Sequence, residues 1–256
     1  MHNAALEALG MDDWRYQALP VPEELFDETT RALGSAGFAG ANVTIPHKQA
    51  ALALAGRASE AARAIGAANT LTFDLDGTIA AENTDAPGLI AALGQLDGLP
   101  AQPSVLVLGA GGSARAAVWA LREAGAREVS VWNRTPERAT ELARDLGARA
   151  VNAPGPAELL VNCTSVGLER SATEREGLNQ LGLTFDQVGE YPYVVDFVYR
   201  SEPTPLFAAA RTHGAGTVDG LEILVEQGAL SLELWTGREA PRDVMRDAAR
   251  ADDDST

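Results

Sequence analysis

The apolar run Ser104-Val105-Leu106-Val107-Leu108 passes without a break into Gly109-Ala110-Gly111-Gly112-Ser113-Ala114, and a helical pattern over residues 114–124 follows at once. A buried strand that turns through glycines straight into a helix belongs to a βαβ unit, which commits this part of the chain to a parallel sheet. The pattern then repeats: the spacing predicts a strand over 128–132 and a helix over 136–146, with Gly147 as its C-terminal stop. Further strands are expected over 159–162, 194–198 and 217–218. In Gly109-x-Gly111-x-x-Ala114 the first glycine allows a tight turn and the second lets backbone approach a pyrophosphate at the helix N-terminus. The small third residue lets helix and strand pack closely. The same residues could instead form a purely structural turn.

Which dinucleotide such a turn would hold is decided after the second strand, where an NAD site usually offers a carboxylate to the ribose. Here the chain offers Asn133-Arg134-Thr135, with Arg138 one helical turn on. Two arginines can clamp a 2′-phosphate, and Thr135 can cap the helix and donate to that phosphate, so the expected cofactor is NADP. The alternative is a capped helix start with solvated arginines.

Ahead of this region the chain alternates as well. Helices are expected over 4–9 and 22–33, strands over 16–19 and 40–44, and two short strands over 70–74 and 78–82 joined at Asp76-Gly77. Helical patterns return over 223–235 and 241–250, which suggests that the first domain is discontinuous. The expected architecture is α/β in two domains: a substrate domain formed by 1–98 plus 221–256, and a Rossmann-type, parallel-sheet NADP domain over 99–220, with a cleft between them. The segment 168–193 reads as a long connection.

Composition narrows the function. Of 20 basic residues only one is lysine, Lys48, in Asn42-Val43-Thr44-Ile45-Pro46-His47-Lys48. An ammonium can give up its proton where a guanidinium effectively cannot, so Lys48 is a candidate acid/base; the alternative is an incidental surface lysine. The single cysteine, Cys163, excludes an internal disulfide and a cysteine-rich metal site. A formal charge of −16 with no basic stripe argues against a nucleic-acid partner. No apolar stretch reaches the roughly 18 residues a spanning helix requires, and no signal segment opens the chain, so the expectation is a cytoplasmic protein with no membrane partner. The aspartate-rich tail, 251–256, reads as a solvated end.

Seven segments in order carry a family resemblance: Asn42 to Lys48, Gly66-Ala67-Ala68-Asn69-Thr70, Asn83-Thr84-Asp85, the turn Gly109 to Ser113, and Asn133 to Thr135. The last two are Asp196 to Tyr199 with Thr204-Pro205-Leu206, and Val218-Asp219-Gly220 with Gln227-Gly228-Ala229. Together they resemble the shikimate dehydrogenases. The resemblance implies NADPH-dependent, reversible reduction of 3-dehydroshikimate to shikimate, a step of aromatic amino acid biosynthesis, with Lys48 and Asp85 as the catalytic pair. It places Thr44, Asn69, Tyr199 and Gln227 around the polyol. Gly109, Ala110, Gly111, Gly112, Ser113, Asn133, Arg134, Thr135 and Arg138 would hold NADP(H), with Gly220 and Phe197 near the nicotinamide. Taken one at a time, Asp85 could be a turn residue before Pro87-Gly88, Tyr199 and Phe197 core aromatics, and Gln227 a polar residue on an amphipathic helix. His47 matches no required position and reads as a local structural residue. Quinate or aminoshikimate is the alternative substrate, and monomer and homodimer stay open. Family members usually begin with a strand and a Ser-x-Ser segment that holds the substrate carboxylate, whereas Met1-His2-Asn3 starts inside the helix that follows. The expectation is therefore an internal methionine taken as the start, with coding DNA that reads on in frame upstream; otherwise the chain is an NADP-binding protein with impaired turnover.

Overall fold

The computed structural model describes residues 1–168, 173–200 and 202–253. Residues 169–172 of the predicted connection and 254–256 of the acidic tail lie outside them. The chain divides into unit 1, Met1–Gly88 with Val225–Thr256, and unit 2, Leu89–Leu224.

Unit 1 opens with α1 (His2–Ala8), α2 (Phe26–Ser35), β1 (Gly40–Asn42), α3 (Lys48–Leu54), β2 (Arg57–Ala58) and α4 (Glu60–Ile65). There follow β3 (Thr70–Phe73), β4 (Ile79–Glu82) and α5 (Asp85–Leu93), within which the unit boundary falls. The sheet order is β1-β3-β4-β2. β3 and β4 form the expected antiparallel hairpin, turning through Gly77 at φ 84° while the Asp76 carboxylate accepts the Thr78 N–H at 2.8 Å. β1 pairs antiparallel with β3, and β2 lies parallel to β4. Phe26, Val43, Ala51, Leu54, Leu71 and Ile79 are buried together as the core.

Two expected elements differ. Residues 16–19 form no strand, because the Asn3 carboxamide takes the ladder groups of Tyr16: Asn3 Nδ2 donates to the Tyr16 carbonyl at 2.9 Å and Asn3 Oδ1 accepts its N–H at 2.8 Å. The helix expected from residue 22 starts later. Pro22 is extended at ψ 154°, a single 3-10 turn covers Glu23–Leu25, and α2 begins only at Phe26.

Unit 2 contains β5 (Ser104–Leu108), α6 (Gly112–Glu123), β6 (Glu128–Trp132), α7 (Pro136–Leu146), β7 (Arg149–Ala150) and β8 (Leu159–Asn162). After these come α8 (Glu174–Gln180), α9 (Phe185–Val188), β9 (Tyr193–Asp196), α10 (Pro205–Thr212), β10 (Gly216–Val218) and α11 (Gly220–Thr236), with the unit boundary inside α11. α12 (Arg242–Asp253) belongs to unit 1. The six strands are all parallel, in the order β10-β9-β8-β5-β6-β7. Val105 and Val107 of β5 face one core with Ala117, Val118, Leu121 and Leu142. Leu106 and Leu108 face another with Leu178, Leu206 and Ala209. Burial of both faces is why the strand reads as a continuous apolar run, each buried leucine contributing roughly 1.5–3 kcal/mol. The predicted connection 168–193 is not bare chain: Thr173 and Thr184 close capping boxes that start α8 and α9, and these helices supply Leu178 and Val188 to the second core. Gly147 ends α7 in the left-handed conformation at φ 64°.

Candidate active site

In unit 1 the local folding of three segments brings three predicted residues together, and α11 adds a fourth. β1 ends at Asn42, the chain turns over Thr44 to His47, and α3 begins at Lys48. His47 serves this turn: its ring stacks on Phe26 with centroids 4.5 Å apart, and Nε2 donates to the Val21 carbonyl at 2.9 Å. The second segment starts at Gly66, which ends α4 in the left-handed conformation. Ala67 and Ala68 after it are fully buried, so only small side chains fit before Asn69 enters the interior beside β3. The third segment closes on itself at Asn83, whose carboxamide donates to the Ala67 carbonyl at 3.0 Å and accepts the Ala86 N–H at 3.1 Å. Asn83 thus fills the turn-forming role that Asp85 could have had. The Asp85 carboxylate is left to face its neighbours.

Those neighbours are Lys48 and Asn69. Lys48 Nζ donates to Asp85 Oδ2 at 2.6 Å, and Asn69 Nδ2 donates to Oδ1 at 2.9 Å. Lys48 is 8% exposed and Asp85 5%. A buried ion pair survives only when its geometry is good and its remaining lone pairs are satisfied, which the Asn69 amide does here. Asn69 Nδ2 also lies 3.0 Å from Gln227 Oε1 on α11. Lys48, Asp85, Asn69 and Gln227 therefore form one connected set, a buried ammonium–carboxylate pair bordered by neutral amides. Such a set can hold a hydroxylated ring and exchange a proton with one of its oxygens. Thr44 is solvent-exposed beyond β1, and Tyr199 lies in unit 2 with 46% of its surface exposed.

Around this set are residues that sequence reasoning missed. Thr70, Thr84 and Ser231, all buried, link Asn69 to Asn42 through hydroxyl hydrogen bonds. No spacing rule marks them, because Asn42 and Ser231 are 189 positions apart.

In unit 2 the glycine turn sits at the carboxyl end of the central strand, where strand order reverses between β5 and β8; open parallel sheets take ligands at such a point. Gly109 has φ 110°, and a Cβ there would come 3.1 Å from the Cys163 carbonyl oxygen. Gly111 precedes α6, and a Cβ on it would meet nothing within 4 Å. The fully buried Ala114 lets α6 pack closely on the sheet. The turn fits a pyrophosphate: one glycine satisfies the fold and the other leaves open space before the amides of a twelve-residue helix. Arg134, Thr135 and Arg138 are exposed at the start of α7, suited to an added phosphate. Thr135 is the N-cap residue but its side chain makes no cap hydrogen bond, contrary to expectation. Its carbonyl is held instead by Asn133 Nδ2 at 2.9 Å. Phe197 is half-buried against the first core of unit 2. At Gly220 a Cβ would lie 2.7 Å from the carbonyls of Phe197 and Val198, so this position admits no side chain.

A buried carboxyl, also missed, lies at the end of β9. Asp196 accepts from Thr204 Oγ1 at 2.5 Å, Asn162 Nδ2 at 2.9 Å and the Val198 N–H at 3.0 Å. Burial nevertheless raises its pKa to about 6, the hydrogen bonds only partly opposing that rise. Among the described residues no group of His, Cys, Asp and Glu could hold a metal ion, and no helix is long and apolar enough to cross a membrane.

Three family models match the chain: the shikimate dehydrogenase substrate binding domain over residues 1–71, shikimate / quinate 5-dehydrogenase over 94–163, and the shikimate 5′-dehydrogenase C-terminal domain over 220–250. The chain is 39% identical to shikimate dehydrogenase (NADP(+)) of Methanothermobacter thermautotrophicus, over 98% of this chain and 90% of that protein. Shikimate 5-dehydrogenase of Thermus thermophilus, solved in complex with NADP(H) and shikimate, superposes with a TM-score of 0.84 at 40% identity, covering 98% and 92% of the two chains. Shikimate dehydrogenase of Aquifex aeolicus gives a TM-score of 0.86 at 33% identity, covering 97% and 91%.

Proposed function

The chain belongs to the shikimate dehydrogenase family, and on that premise we propose that Lys48 and Asp85 carry its NADP(H)-dependent interconversion of 3-dehydroshikimate and shikimate. The observation that carries this assignment is the buried 2.6 Å contact between the lone lysine and Asp85. NADPH, when bound, supplies the hydride that reduces the ketone carbon. Lys48 Nζ hydrogen-bonds the ketone oxygen, stabilises the negative charge that develops there and delivers the proton that completes the alcohol. In the oxidative direction Lys48 takes the hydroxyl proton instead. Asp85 accepts from Lys48 and holds the ammonium in one orientation. Asn69 and Gln227 read ring hydroxyls as neutral partners, with Thr44 and Tyr199 as further contacts. The turn Gly109 to Ser113 holds the pyrophosphate of NADP(H) at the start of α6. Arg134 and Arg138 pair with the 2′-phosphate.

The test is the initial rate of NADP reduction with shikimate, and with quinate for comparison, for the wild-type chain and for Lys48→Met. Turnover of shikimate well above quinate, falling about 10²–10⁴-fold in the variant, is expected, since that is the usual range for general acid–base catalysis. NADP binding and the melting curve are followed alongside, because the substitution leaves Asp85 buried without its cation. A folded Lys48→Met chain that keeps wild-type turnover would remove Lys48 from the mechanism.

A further inference from the structure

Gln227, Ser231 and Trp235 stand at i, i+4 and i+8 on α11 and so share one face of the helix. Each meets a different group of the unit 1 sheet and its flanking segments. Gln227 Oε1 accepts from Asn69, and Trp235 Nε1 donates to the Leu71 carbonyl at 3.0 Å. Ser231, between them and 0% exposed, lies 2.8 Å from Asn42 Nδ2, 2.8 Å from Thr70 Oγ1 and 3.2 Å from Thr84 Oγ1. We propose that Ser231 is a positioning residue for polyol recognition, its hydroxyl fixing how the carboxamides of Asn69 and Gln227 are presented. This rests on the shikimate reading above.

The directions of the hydrogen bonds support it. Asn42 Nδ2 lies 3.5 Å from the Asn69 carbonyl, which can only accept, so the amide nitrogen takes the side facing Ser231 and Oδ1 accepts the Tyr16 hydroxyl proton at 3.1 Å. Ser231 Oγ in turn lies 3.0 Å from the Gln227 carbonyl, which can only accept. With its proton spent there, Ser231 has two lone pairs for three donors within reach, Asn42, Thr70 and Thr84. At the other end the Thr84 N–H donates to Asn69 Oδ1 at 2.7 Å, which fixes the orientation of that amide as well. Asn69 Nδ2 then has two protons for three acceptors: Asp85 Oδ1 at 2.9 Å, Thr84 Oγ1 at 2.9 Å and Gln227 Oε1 at 3.0 Å. Which two it serves depends on where Thr84 and Thr70 send their own protons, and Ser231 is the acceptor common to both. Without Ser231 Oγ the Thr70 and Thr84 protons turn toward Asn69 Oδ1 and Gln227 Oε1, which lie within 3.5 Å. The two amides that meet the ring hydroxyls are then presented differently, while the Lys48–Asp85 contact is untouched.

Ser231→Ala tests this through steady-state kinetics with shikimate and with an analogue lacking one non-reacting ring hydroxyl. Interactions that read hydroxyls in substrate and transition state alike act on KM. The expected result is a rise of about five- to tenfold in KM for shikimate, the scale of one misplaced hydrogen bond, with kcat changed less than about threefold. The preference for shikimate over the analogue shrinks by a similar factor, and KM for NADP is unchanged. Ser231→Cys keeps a donor and acceptor at this position with weaker hydrogen bonds and slightly greater bulk; it carries the same expectation should the alanine variant fail to fold. An unchanged shikimate KM and preference overturns the proposal. So does a parallel shift of kcat and both KM values with a lowered melting temperature, which marks a purely structural serine. A wild-type chain without shikimate turnover removes the functional reading and this proposal with it; wild-type turnover with an unaffected variant removes this proposal alone.

Discussion

Arg134 is exposed at the start of α7 and, with Arg138, is the positive charge available to a 2′-phosphate there. Charge-assisted hydrogen bonds contribute about 1.5–3 kcal/mol, so Arg134→Ser should raise KM for NADP by roughly ten- to a hundredfold and leave KM for NAD, which lacks the 2′-phosphate, unchanged. Equal losses with both cofactors would mean that Arg134 does not read the phosphate. At this scale the sequence was informative wherever a residue type was scarce or a motif was local. Lys48 stood out as one lysine among 20 basic residues. Asn69 and Gln227 were legible through the resemblance alone; Thr70 and Thr84 stood inside its motifs with no role of their own, and Ser231 was not legible at all. A hydroxyl is an ordinary residue until folding gives it a partner, and here the partners come from segments 143 to 189 positions apart. Asp196 was read only as part of a motif. Its burial follows from the pairing of β9 with β8, which sets Asp196 opposite Asn162.

The strand–turn–helix order of unit 2 was legible because both faces of its sheet are covered, so apolar runs, glycines and proline mark nearly every boundary. Unit 1 was harder. Its strands are two to four residues long, and one expected strand was replaced by a side-chain clasp from Asn3 that no periodicity encodes. The meeting of β1 with α11 shows how tightly this unit is closed. A Cβ on Gly40 would lie 2.1 Å from Trp235 Nε1 and 2.5 Å from the Leu71 carbonyl, the same two groups that hydrogen-bond each other. Gly40→Ala must therefore displace the indole or the strand, and overpacking of this kind costs typically about 1–3 kcal/mol. Denaturant unfolding of the variant should show that loss, with a raised KM for shikimate because Asn42 is two residues along β1. A variant as stable as the wild type would show that Trp235 yields at no cost.

Across the whole molecule, two buried titratable groups give opposite pH dependences. His2, stacked on Tyr16 with centroids 4.1 Å apart, has its pKa lowered to about 4 by burial, the Gly228 backbone offsetting this in part, and its Nε2 finds no hydrogen-bond partner among the described residues. The folded state then binds fewer protons than the unfolded one between about 4 and 6.5, so the stability His2 contributes is full above 6.5 and is lost as pH falls toward 4. Asp196 runs the other way: its folded pKa of about 6 exceeds the ordinary 3.8, so its contribution is full below 3.8 and is lost as pH rises through 6. Two pKa units correspond to roughly 3 kcal/mol. Asp196→Asn removes only the second dependence. Relative to wild type, the variant should therefore gain stability between about pH 4 and pH 7 by up to about 3 kcal/mol, measured by denaturant unfolding at each pH. A pH-independent difference would show that Asp196 titrates alike in both states. The division of the chain carries a further consequence, one of timing. Unit 2 is a single uninterrupted stretch, whereas unit 1 resumes only at Val225, after all of unit 2 has been made. On the ribosome, where domains generally fold as units in order of synthesis, unit 2 with its glycine turn can close first. Lys48, Asn69 and Asp85 wait for Gln227 and Ser231, so a nascent chain has its parallel sheet and glycine turn before its buried ion pair gains the last of its polar neighbours.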